Sequence, residues 1–243
     1  MKKTLLATTL ATITLISASS AFAADSVDLS VGGTIAPIAC VPTLSGGGTI
    51  DYGDIKADTL KTDDYTVLQT KTLDFSITCD GMTKLAINTV NNRKGTVAGS
   101  VEFPINNNAK APVALDNTNS GVFGLGTAGT KKIGGYSLVM SDTTFDGKAA
   151  ILINNAYSTS PNSYWQGQVS TTGNSPLIQS LNVAVQLKSW MDPAGDLSKP
   201  YPAPTKVMAS KISVQAYINK ASELDITQPI KLDGSTTLEL IYL

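Results

Sequence analysis

The chain of 243 residues has no histidine and only two cysteines, Cys40 and Cys79. Without histidine, the usual serine and cysteine triads lack their general base. Two cysteines alone also fall short of the usual four-ligand zinc site. Charge is sparse: 15% of residues are charged, with 19 acidic against 18 basic. That balance excludes a basic surface for nucleic acid or acidic lipid. Nor is there an apolar run of the roughly 20 residues that a membrane-spanning helix needs. The composition therefore points away from triad enzymes, zinc proteins, nucleic-acid binders and helical membrane anchors, with no cofactor implied.

What is present begins with a leader. Lys2 and Lys3, an apolar stretch from Leu5 to Ile16 broken only by threonines, and Ala21-Phe22-Ala23 match a secretory signal peptide over residues 1–23. Cleavage after Ala23 removes two lysines and shifts the formal net charge from −1 to −3. In an exported chain two cysteines normally pair, so a Cys40–Cys79 disulfide is expected.

Strand signals recur along the mature chain. Leu73, Phe75, Ile77 and Cys79 alternate with polar residues, as do Leu85 and Ile87, then Tyr136, Leu138 and Met140 after a Gly134-Gly135 turn. Ala149, Ile151 and Ile153 follow, then Leu181 to Leu187, Ile212 to Ile218, and Leu238, Leu240 and Tyr242 at the end. Period-two patterns separated by turn residues predict half-buried antiparallel strands, and thus one all-β domain over 40–243. Long polar stretches at 91–99, 106–121 and 154–176 are loops, and Lys199-Pro200-Tyr201-Pro202-Ala203-Pro204 is a connection, because proline cannot serve a central ladder.

Three features invite a chemical reading. Gly124 to Gly129 fits G-x-G-x-x-G, but a strand pattern follows where a dinucleotide loop needs a helix, so a hairpin is expected. Asp51, Asp54 and Asp58, with Asp63 and Asp64, match no calcium loop and read as solvated turn carboxylates. Tyr164 and Trp165 are either a platform for a sugar or loop aromatics folded back over the core.

The first mature residues, ADSVDLSVGGTIAPIAC, alternate Val27, Leu29, Val31, Gly33 and Ile35 with polar neighbours over an extension spanning 24–39. A strand of that kind needs an apolar surface for one face, in its own sheet or elsewhere. Together with Cys79 at the end of LDFSITC and the terminal TLELIYL, this segment resembles the subunits of chaperone–usher fimbriae. Cys40-Val41-Pro42, Asn92-Arg93-Lys94-Gly95 and Gly124-Leu125-Gly126 are similar to a fimbrial-like branch of those exported proteins.

The resemblance implies an immunoglobulin-like sandwich lacking its last strand, completed by the extension of another subunit. It makes Val27, Leu29, Val31, Gly33 and Ile35 the donor residues and puts Leu238, Leu240 and Tyr242 on the strand beside the groove. It further implies other fimbrial subunits, a periplasmic chaperone and an outer-membrane usher as partners, with the fibre at the cell surface and a contribution to adhesion. The alternative is a free-standing exported carbohydrate-binding module using Tyr164 and Trp165.

Overall fold

A computed structural model describes residues 27–99, 112, 115, 122–155, 165–167, 175–177 and 187–243. The signal peptide, Tyr164, Leu181, Val183, Val185 and most of the loop over 106–121 lie outside the described residues. The chain divides into two units, one ending at Ala36 and one running from Pro37 to Leu243.

Eight strands carry the second unit: β1 Cys40–Leu44, β2 Lys71–Thr83, β3 Leu85–Asn91, β4 Gly134–Phe145, β5 Ile151–Asn155, β6 Leu187–Met191, β7 Thr205–Ile218 and β8 Thr236–Tyr242. They form two antiparallel sheets. One has the order β1-β2-β7-β4, with Ser175–Pro176 beyond β4; the other runs from Trp165–Gly167 through β5, β6 and β3 to β8. Phe75 and Ile77 of the first sheet meet Leu85, Ile87 and Trp190 of the second in one buried core, which makes the fold an all-β sandwich.

The alternation expected in β2 is present: Phe75, Ile77 and Cys79 are buried while Asp74, Thr78 and Asp80 are exposed. β3 is covered on both faces, with Leu85 and Ile87 in the main core and Ala86 in a second cluster with Ile153, Trp165, Leu187 and Met191. Cys40 and Cys79 face each other across the β1–β2 ladder and are joined by a disulfide. That bond places the chain in an oxidising, non-cytoplasmic compartment. Among the described residues no helix is long and apolar enough to cross a membrane. The glycine-rich segment is a hairpin, pairing Thr127–Ala128 with Lys131–Lys132.

One expectation needs correction. Gly134-Gly135 is not a turn; both residues lie inside β4, opposite Ile218 and Tyr217 of β7. The reason is close approach. A Cβ on Gly134 would lie 2.0 Å from the Tyr217 carbonyl oxygen, and one on Gly135 would lie 2.7 Å from the Tyr217 hydroxyl. Glycine here admits the β7 backbone and the buried Tyr217 ring, whose hydroxyl donates to the Ala98 carbonyl at 2.7 Å. Gly134→Ala should therefore lower stability by about 3 kcal/mol, the upper range for overpacking. Urea denaturation of the two proteins checks it.

Candidate functional site

β8 is an edge strand: β3 pairs with one side, and among the described residues nothing pairs with the other. The Asn92 N–H donates to the Ser235 carbonyl and the Leu243 N–H to the Lys84 carbonyl, so the odd-numbered positions bond towards β3. In an antiparallel ladder the intervening residues turn their backbone groups the other way. The N–H and C=O groups of Thr236, Leu238, Leu240 and Tyr242 thus point to the open edge.

Beside that edge lies an apolar groove of about 850 Å3. Its floor is the inner face of the first sheet, including Leu73, Leu138, Ile212 and Val214, and Leu238 forms part of one wall. This floor extends past β8, the strand that ends the second sheet among the described residues. Half-buried residues fold over the rim from two connections: Ile50, Tyr52 and Ile55 on one side, and Ile230 and Leu232 on the other.

Particular contacts hold the rim in place. The Tyr52 hydroxyl donates to the Val214 carbonyl and accepts from the Ala216 N–H, both at 3.3 Å, and burial raises its pKa. Tyr136 stands at the groove with its hydroxyl bonded to Thr236; burial, partly offset by that bond, pushes its pKa up to about 12. Gly234 leaves room for the Tyr136 ring, since a Cβ there would lie 2.9 Å from it. At the start of β8, Arg93 clamps Asp233: Nη2 donates to Oδ1 and Nε to Oδ2, each at 2.8 Å. The hydrogen bonds from Arg93 hold the Asp233 carboxyl below its ordinary range.

Arg93→Gln should raise the Asp233 pKa towards that range, read by NMR titration of the carboxyl carbon. A carboxylate with a depressed native pKa stabilises the fold above its unfolded pKa and loses this contribution as pH falls through the native one. Parent and variant stabilities should therefore converge in acid.

The sequence-predicted residues fall out as follows. Leu238 lines the groove, and Leu240 is half-buried against the main core. Tyr242 is half-exposed and its hydroxyl accepts the Cys40 N–H at 2.9 Å, tying the end of β8 to the start of β1. Val27, Leu29, Val31 and Ile35 are each at least 90% exposed, residues 27–39 carry no strand, and nothing lies within 4 Å of where a Gly33 Cβ would stand. Trp165 is buried in the second cluster, the folded-back position for a loop aromatic, although it stands on a short strand.

Asp51 accepts the Gly53 N–H, and Asp64 bonds Lys61 and the Tyr65 N–H. Among the described residues no cluster of acidic groups or cysteines could hold a metal ion. The Arg93–Asp233 clamp was missed from sequence; its partners are 140 residues apart, and only the Asn-Arg-x-Gly turn hinted at Arg93.

Comparison with known proteins adds relatives. A family model described as a protein of unknown function, DUF1120, matches residues 29–137, from within the extension to β4. The chain is 28% identical over 242 residues to Uncharacterized protein YhcF of Escherichia coli strain K12, covering 93% of this chain and 94% of that protein. It is 26% identical over 257 residues to Protein GltF of the same organism, covering 100% and 99%. No solved structure matches it.

Proposed function

We propose that this exported protein is a structural subunit of a chaperone–usher fimbria, built to receive a strand in its groove and to lend its N-terminal extension to a neighbour. The observation that supports this is a pairing of defects. One chain holds an apolar groove along an unpaired strand edge and also an exposed segment with the alternating apolar pattern that such a groove accepts. An edge of this kind is a template for strand addition.

The geometry favours a neighbour's extension over the chain's own. The Tyr242–Cys40 bond puts the entry to β1 at the C-terminal end of β8. To reach its own groove the extension would have to reverse within Ala36–Ala39 and lie parallel to β8. A strand from another copy can add antiparallel, the more stable pairing. Before assembly a periplasmic chaperone would cover the same edge and the usher would receive the subunit. The reading needs no catalytic residue.

The test is a synthetic peptide of residues 24–36 titrated onto the purified full chain. Binding should raise the melting temperature, with about 2.7 kcal/mol of stabilisation at a hundredfold excess over Kd. A peptide carrying Leu29→Asp and Val31→Asp should do neither. If the parent peptide does not bind, the groove is no strand acceptor and the proposal fails.

A further inference from the structure

We infer that, in an assembly of the proposed kind, an apolar patch at the end of the sandwich where the chain enters β1 packs against the groove end of the next copy, making a second contact beside the inserted strand. This rests on the assembly reading above.

The patch is built from Ile38, Val41, Met82, Tyr201 and Tyr242, large apolar side chains between 37% and 62% exposed. Several contacts gather them at one end. Ile38 lies over Gly81, where a Cβ would stand 3.2 Å from its Cδ1, and Met82, the next residue of β2, stands at the same end on the opposite face of the strand. The Lys84 ammonium sits 4.3 Å above the Tyr201 ring, while the Lys84 carbonyl takes the Leu243 N–H beside Tyr242. Tyr242 in turn reaches Cys40, next to Val41. Isolated apolar side chains on a surface need no explanation, but five at one end of a sandwich do.

The tether identifies what covers it. Between the last donor residue, Ile35, and Cys40 there are only Ala36, Pro37, Ile38 and Ala39. Two of these are fixed to the body. The Ala39 N–H donates to Asp80 Oδ1 and its carbonyl accepts from the Asp80 N–H, both at 3.0 Å, and Ile38 rests on Gly81. The free length from Ile35 to Ile38 is three residue steps, at most about 11 Å even when extended. Pro37 stiffens it further. Any body that holds Ile35 in its groove must therefore abut this patch. Antiparallel addition to β8 places Ile35 at the Thr236 end of the acceptor, beside the connection from Leu224 to Gly234, where Ile226 is exposed. The partner surface is that connection on a second copy.

A photo-crosslinking residue placed at Met82 or at Tyr201 in the full chain, exported from cells, tests this. The expected result is a covalent dimer on a denaturing gel whose joined peptide maps to residues 224–234. The same probe at Lys211, exposed midway along β7, should give none. Met82→Asp should leave monomer melting unchanged and reduce the affinity between copies about tenfold. Oligomers without these crosslinks would overturn the patch while leaving strand insertion standing. A chain that stays monomeric and ignores the 24–36 peptide would overturn both. Peptide binding without self-association would mean that the occupant is a different protein, and the second-copy interface would fall.

Discussion

On the proposed donor-strand assembly, Gly33→Leu is expected to abolish polymer formation while leaving the unfolding midpoint of the monomer unchanged. In the monomer this position is free: a Cβ on Gly33 would meet nothing within 4 Å, and flanking Val31 and Ile35 are exposed. A leucine therefore costs the isolated chain almost nothing. Within a neighbour's groove, on the proposed pairing, the same side chain would have to fit over the floor lined by Ile212, Val214 and Leu138. Overpacking of a formed core costs about 1–3 kcal/mol, or roughly 5- to 150-fold in affinity at each junction. Because every junction carries the loss, fibre length collapses far more than any one contact weakens. Asp28→Ala, on the opposite face of the extended segment, should change neither property. Denaturation of each monomer and electron microscopy of assembled material check both expectations. A destabilised Gly33→Leu monomer that still assembles would show the segment serving its own chain.

The second large effect is on stability. Replacing both cysteines, Cys40→Ser with Cys79→Ser, is expected to lower unfolding free energy by about 4 kcal/mol, the chain-entropy cost of releasing a loop of this length. The sequence separation it closes is 39 residues. The location adds to the consequence. β1 is five residues long and, among the described residues, pairs only with β2, at the edge of the first sheet. Beyond that ladder, the Cys40 N–H rests on the Tyr242 hydroxyl. Freed of the disulfide, this edge frays first, loosening the anchor at Ala39 and the groove wall at Leu44 together. Urea denaturation of the parent and the double variant gives the difference directly. A loss below about 1 kcal/mol would show that packing, with little help from the cross-link, holds β1.

Much of the fold was legible in the sequence because strand alternation is local. Two neighbours decide which face a residue takes, so Phe75, Ile77 and Cys79 on β2 and the positions of β7 needed no knowledge of the rest of the chain. The disulfide was legible for a different reason: a leader and a count of two leave one pairing. Gly134-Gly135 misled because glycine marks both turns and close approaches, and only β7 lying against them separates the two. Trp165 could not be placed from its Ser- and Asn-rich surroundings, since its packing partners Ala86 and Leu187 are distant in the chain.

The same division holds at the candidate site. The alternating extension and the pattern of β8 are properties of short segments; the sequence by itself determined that β8 would be a strand with one apolar face, whereas residues 27–39 keep the alternation without pairing as a strand in the lone chain. Whether an apolar face finds cover is a property of sheet order, which depends on contacts between residues far apart. Only the tertiary structure decided that β8 ends its sheet, that the first sheet runs on beneath an open groove, and that Arg93 and Tyr136 brace its wall. A strand's face is set by the pleat, but its neighbour is set by the whole chain.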